Sequence, residues 1–303
     1  MLTAETKKPP LWMTLGAFAV IYLVWGSTFL AIRVGVLAMP PLLFAAMRFL
    51  TAGVVLVGWQ LSRRDSLPTA RQWRSVVVIA FLLFLVDYGL LFWAEQRVPS
   101  GVAAVVMATI PAGMTLMEVA LLGTQRLTVA LVTSLLIGLF GVAVLVSPGL
   151  HLSGAVVNRA GAGAMLIAAV AWSIGSVLMK KLELPASRAM SAGTQMLAGG
   201  TMLLVAAAGF GEFHGFHPSA VSRGAWFALA YLITAGSLLG FTAYLWLMHH
   251  QSPTVVGTYA YVNPAVAVVL GFFVAHEPLG VRTVIGAACV LASVGLITLA
   301  KKK

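Results

Sequence analysis

Residues 74–94 read RSVVVIAFLLFLVDYGLLFWA, a run in which one carboxylate, Asp87, interrupts an otherwise uncharged stretch between Arg74 and Glu95. A bilayer core of ~30 Å takes ~20 residues at 1.5 Å each, so this run is a transmembrane helix. Asp87 falls roughly 13 residues into it, ~20 Å along the axis and well inside hydrocarbon. A carboxylate there costs about 2.5–3.5 kcal/mol on insertion scales, so it calls for a partner or a function.

The same length and apolarity recur along the whole chain. Ten runs qualify: 11–32, 43–61, 74–94, 101–122, 127–147, 160–179, 189–210, 224–247, 254–275 and 280–300. The links between them are short and rich in turn residues, as in Met39-Pro40-Pro41, Leu67-Pro68, Val98-Pro99-Ser100 and Ser252-Pro253. Of 303 residues, 60% are hydrophobic and 9% charged, with a mean hydropathy of +0.99. That leaves too little polar surface for a water-soluble particle. Lys7 and Lys8 ahead of the first run resemble the start of a signal peptide. The run continues to Ile32 without a small-residue cleavage site, and reads as a retained span.

The net charge of +11 lies in short clusters between the apolar runs rather than on one patch. A nucleic-acid partner is therefore not expected, and anionic headgroups of the lipid bilayer explain the charge better. With an even number of spans both termini share a side. Placing them in the cytoplasm puts 13 basic residues inside and six outside (Arg33, Arg48, Arg97, Arg159, Arg223, Arg282). The positive-inside rule favours that orientation. No Arg or Lys is thereby assigned to the midplane, which disfavours phosphorylated or multiply anionic substrates.

The two halves repeat at an offset near 150. Trp25-Gly26-Ser27 leads to Arg33, and Trp172-Ser173 leads to Lys180, eight residues past its tryptophan. Pro111 and Pro264 lie near the middle of spans 4 and 9. Ser134, Gly138 and Gly141 in span 5 match Ala288, Ala292 and Gly295 in span 10, stripes that read as close helix-packing surfaces. Five spans per half is odd, so the second half inserts upside down, the inverted repeat of secondary transporters. The expected architecture is an all-α polytopic membrane protein: repeats 1–149 and 150–303, spans 1–5 and 6–10.

Helical spacing groups the candidate site residues. Trp25 and Thr28 share a face of span 1, Trp172 and Ser176 a face of span 6, and Tyr259 and Asn263 stand beside Pro264 in span 9. Tyr88, Phe92 and Glu95 fall on one face of span 3. Met107, Pro111, Met114 and Glu118 form one stripe of span 4. Ser27, Gln96, Ser173 and Tyr244 complete the expected lining of an aromatic, weakly polar cavity suited to small amphipathic solutes. Each of these is also a common packing residue in a membrane bundle. Asp87 and Glu118 are candidates for proton coupling, although Asp87 could serve an ion pair and Glu118 could reach Arg126. Glu95 and Glu277 sit at span ends, within reach of interfacial water. Pro111 and Pro264 each free a helical carbonyl and are candidate flexible points.

No hydrolase, metalloprotease or Walker motif is present, and the single cysteine, Cys289, supports neither a disulfide nor a metal site. An enzyme, a metal and a cofactor are all unexpected.

The run Ile21-Tyr22-Leu23-Val24-Trp25-Gly26-Ser27-Thr28-Phe29 carries a resemblance, with Ala94-Glu95-Gln96-Arg97-Val98-Pro99-Ser100-Gly101 and Tyr259-Ala260-Tyr261-Val262-Asn263-Pro264. Together they resemble the EamA family of the drug/metabolite transporter superfamily, nearest its YedA/YddG-like exporters. The resemblance spans the chain as two EamA repeats. It implies a bacterial inner-membrane protein with cytoplasmic termini and a cavity shared by spans 1, 3, 4, 6, 8 and 9. It further implies export of amino acids or related metabolites, aromatic ones included. The family's Gly-Glu-Arg-like element survives as His276-Glu277-Pro278 in the second half and reads Thr124-Gln125-Arg126 in the first. Alternatives of the same fold are an exporter of drugs or nucleoside-like metabolites, or a passive facilitator. A monomer suffices, because two repeats supply both cavity walls.

Overall fold

The computed structural model describes residues 9–98, 100–146, 158–214, 216–266 and 281–300, which are helical with no strand among them. The expected boundary between the repeats at 149/150, Glu277 and the end of span 9 lie outside the described residues. In chain order the helices are α1 (Leu11–Val36), α2 (Pro41–Ser62), α3 (Ala70–Glu95), α4 (Ser100–Met107), α5 (Ile110–Met117) and α6 (Val129–Val146). They continue with α7 (Arg159–Leu178), α8 (Arg188–Gly209), α9 (Arg223–His250), α10 (Pro253–Gly257), α11 (259–266) and α12 (Val281–Ala300).

Among the described residues seven segments are long and apolar enough to cross a membrane: α1, α2, α3, Val105–Leu122, α7, α8 and α9. Val129–Leu145 and Val284–Leu299 are shorter apolar helices. Their outward faces carry residues such as Trp12, Leu30, Phe140 and Phe227, exposed as a lipid solvent permits.

Local chemistry sets the helix ends. Thr69 and Gln72 form a reciprocal capping box at the start of α3. Asn158, Ser187, Ser222 and Ser252 each accept a backbone N–H in the first turn of α7, α8, α9 and α10. After α5 the chain continues as a π-helical turn, Glu118–Leu122, and stops at Gly123, whose φ of +65° suits glycine.

Two helix pairs hold the halves together by close backbone approach. Gly53 of α2 faces Gly193 and Leu197 of α8, while Gly200 faces Leu50. Gly141 of α6 faces Gly286, Cys289 and Val290 of α12, and the Ser293 hydroxyl donates to the Ser134 carbonyl at 2.6 Å. In both pairs one number rises as the other falls, so the partners run antiparallel. The α6 stripe of Ser134, Gly138 and Gly141 is buried as expected. The α12 stripe is corrected: Ala288, Ala292 and Gly295 are exposed, and Gly286, Val290, Ser293 and Ile297 form the packing face. α12 is apolar all round, so hydropathy does not mark which side meets protein.

Spans 4 and 9 are not continuous helices. The first breaks at Ala108–Thr109, between α4 and α5, and the second at Thr258, between α10 and α11. Pro111 stands in the first turn of α5, where its missing N–H costs nothing, which corrects its reading as a mid-helix kink. α3 and α9 each contain a π-helical stretch, Phe81–Tyr88 and Leu232–Phe241, at equivalent places in the two halves. The first stretch delivers Asp87 and Tyr88 to the central site, and the second holds a wall residue from behind through the Gly236 carbonyl, in keeping with the recurrence of such irregularities in functional helices.

Candidate functional site

A cavity opens where α1, α3, α4, α5, α7 and α11 converge. α1 contributes Trp25, Thr28, Phe29 and Ile32; α3 contributes Asp87, Tyr88 and Leu91; Met107 and Ile110 flank the break in span 4. Trp172 comes from α7, and Tyr259, Ala260, Asn263 and Pro264 from α11. Trp25 is the fifteenth of the 26 residues of α1 and Trp172 the fourteenth of the 20 of α7, so the cavity lies well inside both helices. Its free volume is about 50 Å³, room for a few waters, against ~300–1,000 Å³ for sites that hold drug-sized ligands. The cavity is narrow.

Aromatic rings close it. Trp25 meets Trp172 edge-on, with centroids 5.6 Å apart at 80°, and Tyr259 edge-on at 4.9 Å. Tyr88 meets Trp172 at 5.9 Å and 85°. Such edge-to-face pairs add about 0.5–1.5 kcal/mol each beyond area burial. Tyr244 backs the cluster at 5.1 Å from Trp25, its hydroxyl donating to Ser176 at 2.5 Å. The Trp25 indole N–H donates to the Gly236 carbonyl inside the π-helical stretch of α9 at 3.1 Å, so the ring's position is tied to the second half.

Two acceptors in this apolar chamber are left open. Asp87 is 2% exposed and its Oδ1 has no hydrogen-bond partner among the described residues; the same holds for Asn263 Oδ1. Pro264 removes the N–H that the Ala260 carbonyl would accept in a continuous helix, and Ala260 lines the cavity. The chamber thus offers oxygen acceptors surrounded by ring faces and edges, which suits a cationic or N–H-bearing group attached to an apolar body.

Of the residues singled out from sequence, Trp25, Thr28, Asp87, Tyr88, Met107, Trp172, Tyr259, Asn263 and Pro264 line the cavity. Phe92, Pro111, Met114, Ser173, Ser176 and Tyr244 are buried behind it; the Ser173 hydroxyl, for instance, donates to the Ala169 carbonyl of its own helix. Ser27 and Gln96 stand apart. Ser27 faces the Tyr231 hydroxyl at 2.5 Å, and Gln96 donates to the Val36 carbonyl and borders a lateral groove.

Arg48 departs furthest from expectation. The charge count places it on the outer side of the membrane, whereas it is the eighth residue of α2, ~10 Å in from Pro41, and only 1% exposed. Its guanidinium carbon lies 4.7 Å from the Phe49 ring centroid and 5.1 Å from that of Tyr88. Nε donates to the Ser237 hydroxyl at 2.9 Å, and Nη1 has no partner among the described residues. Its distance from the nearest Pro in the sequence was the available signal, since Pro41 starts the helix that carries it inward.

The other carboxylates also differ from expectation. Glu118 does not pair with Arg126: Oε2 accepts from the Thr254 backbone N–H at 2.9 Å and its hydroxyl at 2.8 Å, while Oε1 accepts from Thr124 at 3.0 Å. It therefore ties the end of α5 to the start of α10. Glu95, expected to be solvated, is 1% exposed with Oε1 unpartnered, while Arg33 donates to its backbone carbonyl.

Comparison with known proteins places these features in a family. The model of the EamA-like transporter family matches residues 11–147 and again 159–299. The inner membrane transporter YedA of Escherichia coli (strain K12) is 38% identical, over 94% of this chain and 90% of its own. Protein PecM of Dickeya dadantii (strain 3937) is 29% identical over 90% of this chain and 88% of its own. A solved crystal structure at 23% identity shares the fold, with a TM-score of 0.76 over 96% of this chain and 99% of its own. A transporter's cavity, closed by rings from both matched segments, is thus carried by a chain that belongs to the EamA-like transporter family.

Proposed function

We propose that this protein is a secondary transporter of the bacterial inner membrane that exports small amphipathic metabolites, most of all amino acids, aromatic ones included. Ten spans in two inverted repeats, 1–149 and 150–303, with both termini in the cytoplasm, would rock about the central cavity. The antiparallel packing of α2 on α8 and of α6 on α12 supports that arrangement, since inverted repeats place equivalent helices antiparallel. The breaks at Ala108–Thr109 and Thr258 are the flexible points this reading uses.

One observation carries the substrate class: an unpartnered Asp87 carboxylate held among Trp25, Tyr88, Trp172 and Tyr259 in a chamber of about 50 Å³. The carboxylate suits the substrate's ammonium group and the rings its side chain. When the substrate leaves, a proton can take its place on Asp87, which couples export to proton entry.

The experiment is uptake of labelled phenylalanine, tryptophan and leucine into liposomes holding the purified protein, with and without a pH gradient. Saturable uptake with counterflow supports the proposal. Flux that neither saturates nor shows counterflow points to a passive facilitator. Absence of amino-acid flux by folded protein, with transport of a cationic dye or a nucleoside, would replace the substrate class.

A further inference from the structure

A guanidinium in the membrane interior with a free donor is expensive, because each unpaired buried charge loses its hydration without return. Arg48 is in that state. Among the described residues no carboxylate is ion-paired with Arg48; the Arg71–Glu183 pair, both exposed, lies elsewhere. The Ser237 hydroxyl accepts from Nε, the Tyr88 side chain adds a hydrogen-bond contact, and the Phe49 and Tyr88 rings supply cation–π contact, but none of these is an anion and Nη1 stays open.

The position of the group is as telling as its charge. Tyr88 is both a wall of the central cavity and a cover over the guanidinium. On the other side, a Cβ built on Gly236 would lie 2.9 Å from Arg48 Nη2 and 3.3 Å from Thr28 Cγ2, and Thr28 is another wall residue. Arg48 thus sits directly behind the Tyr88–Thr28 wall. The unpartnered Asp87 carboxylate precedes Tyr88 in the chain and faces the chamber. A lone cation and a lone anion flank one narrow apolar space.

We propose that Arg48 is the receptor for the substrate's carboxylate, reached when the Tyr88 ring turns aside, with Asp87 receiving the ammonium. This rests on the amino-acid reading above and sharpens it: the site takes zwitterions whose two charges are close together and whose side chain is apolar. A planar guanidinium binds a carboxylate through two parallel hydrogen bonds, which a lysine cannot reproduce; Nη1 is open already, and the turn of the Tyr88 ring frees the rest of the fork. The competing role is a structural bracket, in which Arg48 only ties α2 to α9 through Ser237.

The two roles separate with three probes that share one ring: L-phenylalanine, phenethylamine without the carboxylate, and 3-phenylpropionate without the ammonium. Affinities are measured on the purified full-length protein in nanodiscs, for the wild type, Arg48→Gln and Arg48→Lys. A monodisperse elution profile and a cooperative melt establish that each variant is folded. In the wild type, loss of the carboxylate should weaken binding about 10- to 100-fold. Arg48→Gln should bring L-phenylalanine down to the level of phenethylamine while changing phenethylamine less than about twofold. Arg48→Lys, which retains charge without the fork, should fall between. Equal loss for all three probes in a folded variant, or no loss for any, overturns the assignment in favour of the bracket. Should Arg48→Gln not fold, the ratio of L-phenylalanine to phenethylamine in Arg48→Lys decides, an unchanged ratio counting against the proposal. Wild-type binding of 3-phenylpropionate without L-phenylalanine would keep the carboxylate receptor and remove the amino-acid reading; the reverse failure, amine binding insensitive to an added carboxylate, would remove the receptor alone.

Discussion

Trp25 and Trp172, each on the first helix of its matched segment, meet edge-on with ring centroids 5.6 Å apart. Each half brings its tryptophan on its first helix, and neither ring lines a cavity until the other half is present. The pair is where the sequence repeat becomes a site.

Truncation of either ring should therefore weaken transport. Trp25→Ala or Trp172→Ala alone is expected to lower substrate affinity about three- to tenfold, the worth of one aromatic contact. The double variant should show no saturable uptake in liposomes. Unchanged uptake in the folded double variant would falsify the placement of the pocket.

The three hydrogen bonds accepted by Glu118 predict a structural phenotype at the junction of α5 and α10. Glu118→Ala leaves the Thr254 N–H and two hydroxyls without their acceptor, at about 1–3 kcal/mol for the buried donors. Thermal melting in detergent should drop by several degrees, and less for Glu118→Gln, whose amide oxygen can still accept. An unshifted melt for Glu118→Ala contradicts the tie.

Coupling should separate the two buried acids. Asp87, without a partner, is free to exchange a proton, whereas Glu118 is engaged by its neighbours. Asp87→Asn should flatten the response of uptake to a pH gradient, and Glu118→Gln should leave that response in place. The opposite assignment of phenotypes would move coupling to Glu118.

Two glycines of one helix should behave oppositely. A Cβ on Gly286 would stand 2.8 Å from the Gly141 carbonyl oxygen, so Gly286→Val overpacks the α6–α12 contact at about 1–3 kcal/mol. Gly295 has no atom within 4 Å of its Cβ position, and Gly295→Val should change stability by less than about 0.5 kcal/mol. Comparison of melting temperatures checks both, and equal shifts would contradict the packing face.

That contrast shows how far the residues could be read unaided. In a soluble helix the buried face announces itself by polarity, but lipid is as apolar as a protein core, so α12 offered Ala288, Ala292 and Gly295 as readily as Gly286, Val290 and Ser293. Trp25, Asp87, Trp172 and Asn263 were legible as site candidates because rings at matching positions, an acid in hydrocarbon and an amide beside Pro264 each stand out against an apolar background. Ser27 and Ser173 did not separate from them, since a hydroxyl that bonds its own helix looks the same in sequence as one that faces a ligand.

The membrane location, the apolar segments and the repeated order of Trp, Pro and small residues were determined by the sequence itself. These depend on local composition and on a solvent that rejects charge over ~20 residues at a time. The tertiary structure alone decided the break in span 4, the tie from Glu118 to Thr254, and the burial of Arg48 against Tyr88 and Ser237. Each of these depends on contacts between residues far apart in the chain, where helix rotation and depth, not composition, select the neighbour.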